Sequence, residues 1–132
     1  MSNLVLELRQ GEVMIVNGAP IRFRTKSRIE LTAKARFLFG KQIMQADDAL
    51  TPARKIYFAL QQAYIGDEAT RPEALGRARA LIETHRATAA QPLADALAHM
   101  LCVIAHGAGF EALKLARQII REEQAKSLIV SG

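Results

Sequence analysis

The feature that most constrains this fold is a change of hydrophobic period at Thr51 and Pro52. Before it, apolar and polar residues mostly alternate, as in strands that are buried on one face. After it, apolar residues recur at helical spacing. Thr51 suits an N-cap, and Pro52 at the first helical position loses only an N–H that has no partner in a helix. Gly66 supplies the stop, so a helix is predicted between these points.

Five strands are predicted ahead of that helix, over residues 4–8, 12–16, 21–24, 28–32 and 34–39. Asn17 and Gly18 suit a tight type I′ hairpin, because both residue types tolerate positive φ. Pro20 cannot donate to a strand ladder, so the strand that it begins is expected at a sheet edge.

The rest of the chain has a helical pattern. Thr70, Pro92 and Phe110 stand near the starts of three further helices, and the glycines at 107 and 109 separate the last two. The fold class expected is therefore α+β, with an N-terminal antiparallel β-sheet of about five strands followed by a C-terminal bundle of about four helices. Its 132 residues are expected to form a single domain with three parts: a β-rich basic part (1–40), a connector (41–50) and a helical part (51–132).

Positive charge is concentrated in the N-terminal part. Residues 1–56 carry ten Lys or Arg and five Asp or Glu, whereas residues 57–132 carry eight of each. Residues 22–41 alone hold seven basic residues against Glu30. A concentrated basic patch is the electrostatic footprint of a polyanion partner.

Period-two alternation is expected to gather five cations on one solvent face of the sheet: Arg22, Arg24, Arg28, Lys34 and Arg36. Ile21, Phe23, Ile29, Leu31 and Phe37 would fill the other face. Two interpretations stand. The cations either bind a polyanion or keep the sheet edges from aggregating, and the charge asymmetry favours polyanion binding.

The run IMQADDALTPARKIYFALQQAYIG resembles the signature of the FlbT family, the flagellin post-transcriptional regulators of alphaproteobacteria. The opening LVLELRQGEVMIVNG and the chain length fit the same family. The resemblance implies a regulator that associates with the 5′ untranslated region of flagellin mRNA and lowers its translation or lifetime. It also implies a link to FlaF, a small protein of the same pathway. The family prefers two arginines after Thr-Pro-Ala, whereas this chain has Arg54 and Lys55, and lysine lacks the planar guanidinium fork.

These arguments predict a non-enzymatic RNA-binding repressor without a cofactor. The candidate RNA-binding residues are Arg22, Arg24, Arg28, Lys34, Arg36, Arg54 and Lys55. Tyr57, Phe58 and Tyr64 could stack on unpaired bases, although the two tyrosines are better explained as core residues of the bundle. The alternative function is a protein-interaction module or chaperone-like adaptor that acts on flagellin or FlaF, with any effect on RNA being indirect.

No pattern in the sequence supports a catalytic or metal site. His99, Cys102 and His106 share a helix face but have no Cys-x-x-Cys partner elsewhere, so packed or surface roles are favoured. The single cysteine fits a reducing compartment, and no run of about 18 apolar residues could span a bilayer. A cytoplasmic protein without membrane partners is therefore expected. The apolar tail at residues 128–130 and the Ala-rich helices predict a homodimer.

Overall fold

The computed structural model describes residues 4–32 and 36–131, with side chains up to residue 126. Lys34 and the side chains of the apolar tail at 128–130 lie outside the described residues. Five strands and four helices follow one another in the described ranges, so the α+β class and the order of its two halves are confirmed.

The strands divide into two antiparallel sheets. Their bounds are β1 (Leu4–Leu8), β2 (Val13–Val16), β3 (Ala19–Arg22), β4 (Ser27–Leu31) and β5 (Phe37–Phe39). The first sheet pairs β1 with β4, and the second has the order β3-β2-β5. Because β3 and β4 do not pair, the strands do not form the single sheet that alternation suggested.

The turn at Asn17 and Gly18 joins β2 to β3 as predicted. Val16 pairs directly with Ala19, and the two turn residues have φ values of 50° and 86°. Positive φ at both central positions is what a type I′ turn requires. Pro20 lies on β3, which is an edge strand, as expected.

Strands β2 and β5 of the second sheet pack on both faces, whereas the edge strand β3 is exposed along its length. Met14, Val16, Phe37 and Phe39 pack toward the first sheet, where Leu6 and Leu8 complete a small core. Ile15 and Leu38, which alternate with them, pack instead into the main core formed with the helices. The molecule therefore has three layers: the first sheet, the second sheet and the helices.

Four helices complete the fold: α1 (Pro52–Ile65), α2 (Thr70–Thr88), α3 (Leu93–Ala105) and α4 (Gly109–Ser131). The α1 helix is central, since it packs against α2 and α4 and also touches β5. Thr51 caps it as predicted, because its Oγ1 accepts a hydrogen bond of 3.2 Å from the Arg54 N–H. No helix in the described ranges is both long enough and apolar enough to cross a bilayer.

Two short 3₁₀ turns, at Gly40–Gln42 and Ala46–Asp48, lead from β5 through the connector (41–50). Side chains from the helices hold its backbone through hydrogen bonds. The Tyr57 hydroxyl donates to the Gln42 carbonyl, Gln61 bonds the backbone of Met44, and Arg117 donates to the Lys41 carbonyl at 3.1 Å. The connector is thus fixed against α1 and α4.

Candidate nucleic-acid interface

Four of the cations lie on one exposed stretch, which we call the basic segment (residues 22–28). Arg22 ends β3, Arg24 and Lys26 lie in the following loop, and Arg28 is the second residue of β4. All four side chains are exposed. Sequence reasoning did not select Lys26, although it shares the spacing of two residues with its neighbours.

The basic segment is anchored at both ends. The Phe23 N–H donates to the Glu12 carbonyl at 2.9 Å, and the Gly11 N–H donates to the Phe23 carbonyl at 2.6 Å. The side chains of Phe23 and Ile29 pack into the core between the two sheets. The cations therefore project from a backbone that is held in place, which lowers the entropy cost of binding a ligand.

The positive charge of this segment is not neutralised by ion pairs. Within the described ranges, side-chain ion pairs occur only along the helices, between Arg77 and Glu73, Arg86 and Glu83, and Lys114 and Glu111. Strand register places Glu7 opposite Arg28, but these two side chains form no ion pair. A group of unneutralised, exposed cations attracts polyanions over a distance of about one Debye length, roughly 8 Å at physiological salt.

Arg36 is not exposed in the way that the cations of the basic segment are. Its half-buried guanidinium donates from Nε to the Tyr64 carbonyl at 3.0 Å. Arg71 makes the equivalent contact with the preceding carbonyl, Ala63, at 2.9 Å. Two arginines thus satisfy consecutive carbonyls at the C-terminal end of α1, where cations also offset the negative end of the helix dipole.

Arg54 and Lys55 lie together in the first turn of α1. Arg54 is half-buried, and its Nη1 lies 3.5 Å from the Asp48 carbonyl, while Lys55 is exposed. Arg22, Arg24 and Arg28 therefore lie on one short exposed stretch of chain, whereas Arg36 and the pair at 54–55 lie on other parts of it. Sequence reasoning missed Arg71, and no local signal could have found it, since its contact depends on how α2 folds back on α1.

The two tyrosines of the chain occupy different environments. Tyr57 is buried, and desolvation raises the pKa of its hydroxyl, an effect that the Arg117 guanidinium partly opposes. Tyr64 is half-buried, and desolvation likewise raises its pKa, with Arg36 acting in the opposite direction. The core interpretation fits Tyr57 fully, whereas Tyr64 also borders an open cleft.

His99 and Cys102 are exposed on α3, and His106 is exposed just beyond its end. The Cys102 Sγ lies 3.9 Å from the His106 Nδ1, which is 2.8 Å from the Cys102 carbonyl. Among the described residues, no group of three or more His, Cys, Asp or Glu side chains is arranged to hold a metal ion.

These features define an α+β protein whose unneutralised positive charge is concentrated on its strand-rich half. Comparison with known proteins then assigns the family. The family model "Flagellar protein FlbT" matches residues 4–126, and the chain belongs to this family.

Curated relatives agree with that assignment. The chain is 31% identical to the "Probable flagellum biosynthesis repressor protein FlbT" of Chelativorans sp. strain BNC1, over 90% of this chain and 82% of that protein. It is 34% identical to FlbT 2 of Bradyrhizobium diazoefficiens, over 91% of this chain and 88% of that one. The FlbT of Brucella abortus strain S19 is 35% identical, over 85% and 74% respectively. No solved structure matches the chain significantly.

Proposed function

We propose that this protein is a regulator of flagellum biosynthesis that binds the 5′ untranslated region of flagellin mRNA and reduces its translation or stability. The regulatory role is supported by relatives that are named flagellum biosynthesis repressors. The RNA target is supported by the charge of the strand-rich half and by the exposure of the cations that carry it.

The observation that carries the proposal is the basic segment. Arg22, Arg24, Lys26 and Arg28 are exposed and make no ion pair among the described residues. Arginine and lysine side chains of this kind contact phosphate oxygens, which contributes affinity and little sequence information. The mechanism is occupancy: bound protein alters access of the ribosome or the lifetime of the message, and no bond is made or broken.

The remaining candidates belong to the proposal as secondary contacts. Lys55 is exposed and Arg54 half-buried at the start of α1, so RNA that extends beyond the basic segment could meet them. Lys34 keeps its place among the candidates from sequence alone. Arg36 donates through Nε to the end of α1, and its Nη groups make no hydrogen bond within the described residues.

The test is a titration of flagellin leader RNA at several salt concentrations. The variant replaces the four basic-segment cations with Gln, and a control replaces four exposed arginines of the helices (Arg77, Arg79, Arg86 and Arg121) with Gln. Both variants lose the same charge. Each single-strand phosphate contact contributes roughly 0.7 to the log–log salt slope, so the first variant should flatten the slope by about 3 and bind more weakly. The control should keep most of the slope.

Equal effects in the two variants would mean that only net charge matters, and an unchanged slope in a folded basic-segment variant would remove the proposal. The second candidate, an adaptor acting on flagellin or FlaF, would then be the better account. One observation favours it: Leu50, just before the Thr51 cap of α1, is 75% exposed, and Phe110 in the first turn of α4 is exposed as well. Aromatic side chains such as that of Phe110 are enriched in protein interfaces.

A further inference from the structure

A cleft opens where the ends of the four helices meet. Its volume is about 620 Å³, which is within the range of roughly 300–1,000 Å³ typical of small-molecule sites. The end of α1, the first turns of α2, the end of α3 and the start of α4 all contribute. Its polar lining includes Arg36, Glu68 and Arg71, and its apolar lining includes Leu60, Leu75 and Ile104.

The two arginines of the cleft are pre-oriented. Each is fixed through Nε, Arg36 to the Tyr64 carbonyl and Arg71 to the Ala63 carbonyl. In the described part of the chain, their Nη groups have no hydrogen-bond partner, and neither arginine forms an ion pair. Two half-buried guanidinium groups that are already immobilised can donate to an anion at little further cost in side-chain entropy.

The positive charge of the two arginines is not neutralised by an ion pair with the acidic residue that lines the cleft. Glu68 borders the cleft, but it is exposed and pairs with neither arginine. The start of α4 also faces the cleft at Gly109, and within the described ranges the N–H groups of Gly109, Phe110 and Glu111 have no acceptor. These N–H groups add to the positive potential that the arginines create.

An aromatic wall stands beside the arginines. Tyr64 lines the cleft, and its ring lies 5.8 Å from that of Phe110 between centroids. Gly109 also lets the start of α4 approach this ring closely, because a Cβ at position 109 would lie 3.1 Å from the Tyr64 ring. The tyrosine ring is thus held between α4 and the cleft, in a place where a flat ligand could stack on it.

We propose that this cleft binds a nucleoside monophosphate, with its phosphate on the Nη groups of Arg36 and Arg71 and its base against Tyr64. The nucleotide comes either as a free molecule or as an unpaired nucleotide of RNA, and the RNA form rests on the proposed function. The apolar lining and the aromatic wall distinguish this ligand from a simple inorganic anion.

The test is a ¹⁵N-resolved NMR titration of the full chain with four probes: uridine and adenosine 5′-monophosphate, ribose 5-phosphate and inorganic phosphate. The nucleotides should shift the N–H signals of Tyr64, Arg71, Gly107 and Gly109 and leave those of the basic segment in place. Ribose 5-phosphate and phosphate should bind at least about tenfold more weakly, because they lack a base to stack. Equal binding by ribose 5-phosphate, or no shift in the cleft, would overturn the proposal.

Variants supply a second readout. Arg71→Gln and Tyr64→Leu should each weaken nucleotide binding about tenfold or more, while Arg79→Gln, on the exposed face of the same helix, should not. Arg71→Lys keeps the charge but loses the planar guanidinium group, so it should bind the nucleotide with an affinity between those of the parent and of Arg71→Gln. Because the wild-type titration stands alone, a variant that fails to fold does not leave the proposal untested. Folded cleft variants with unchanged nucleotide affinity would contradict it.

An oligoribonucleotide separates the two sources. If a short single-stranded RNA shifts the same cleft signals at about tenfold lower concentration than the mononucleotides, the cleft serves RNA. If only the mononucleotides shift them, the ligand is a free nucleotide. The basic-segment variant should retain nucleotide binding. Loss of leader binding in that variant together with an unresponsive wild-type cleft would overturn this inference and leave the proposed function standing.

Discussion

Gln61 and Met44 exchange two hydrogen bonds. The Met44 N–H donates to the Gln61 Oε1 at 2.7 Å, and the Gln61 Nε2 donates to the Met44 carbonyl at 2.9 Å. Gln61 is only 2% exposed and is the one buried polar side chain among the described residues. Its amide satisfies both the N–H and the carbonyl of Met44. The position of α1 and the path of the connector are therefore coupled.

Replacing Gln61 with Leu should destabilise the protein by about 2–3 kcal/mol, because the variant leaves a backbone donor and a backbone acceptor without partners in a partly buried place. Gln62→Leu is the matched control, since the Gln62 side chain makes no hydrogen bond in the described structure, and it should cost less than about 1 kcal/mol. Urea unfolding measures both. Similar losses in the two variants would show that the amide pair contributes little.

Thr51→Ala should cost about 1 kcal/mol by removing the hydrogen bond from the Arg54 N–H to Oγ1. Thr51→Ser keeps a hydroxyl at the cap and should behave nearly as the parent does. Thermal unfolding with circular dichroism compares the three proteins. An alanine variant as stable as the serine variant would disprove a stabilising role for the cap.

Stability should fall with alkaline pH. Burial raises the pKa of Tyr57 and Tyr64 above the ordinary 10.0. Above pH 10.0 the unfolded chain therefore loses these protons before the folded chain does, and stability decreases as the pH rises toward the raised values. Tyr57→Phe should lose about 1 kcal/mol at neutral pH with its bond to Gln42, yet depend less on pH above 10. A steeper alkaline decline in this variant would contradict the assignment.

Asp67 should make stability sensitive to acid. Its hydrogen bonds from the Thr70 side chain and the Thr70 N–H hold its pKa below the ordinary 3.8. The stabilisation is complete above pH 3.8 and is lost as the pH falls through the lowered folded-state value. Asp67→Asn keeps a cap for α2 without a titrating group, so its unfolding midpoint should change less between pH 5 and pH 2 than that of the parent.

The protein should associate as a homodimer. The large apolar side chains that are exposed among the described residues are Leu4, Val5, Ile21, Leu50 and Phe110. Surface of this kind is often covered by a second copy. Light scattering at micromolar concentration should give about twice the monomer mass of 14.5 kDa, and a monomer mass would end this prediction.

Local chemistry made much of the fold predictable. Thr51, Pro52 and Gly66 bound α1 because caps and stops act within one turn, and Asn17 with Gly18 fixes a hairpin for the same reason. Strand pairing depends on contacts between distant residues. Alternation therefore found the strands of the N-terminal half but could not show that they divide into two sheets, or that Ile21 would be 42% exposed.

The candidate site was predictable to a smaller extent. Arg22, Arg24 and Arg28 are exposed as expected, since charged side chains seldom face a core. Arg36 looked equivalent in sequence, yet it bonds the carbonyl of Tyr64, 28 residues away. Arg71 could not be selected from the sequence, because its contact with the Ala63 carbonyl also depends on the tertiary fold. A cleft formed by the ends of four helices has no signature in any single stretch of the chain.

The position of the second sheet between two cores determines which mutations its strands tolerate. Phe37, Leu38 and Phe39 are consecutive, and each packs into one of the two cores that flank this sheet. Met14, Ile15 and Val16 do the same on the neighbouring strand. A saturation scan should therefore show two unbroken blocks of intolerant positions here. On β1 and β4 every second position should accept polar residues, as in strands that have one solvent-exposed face.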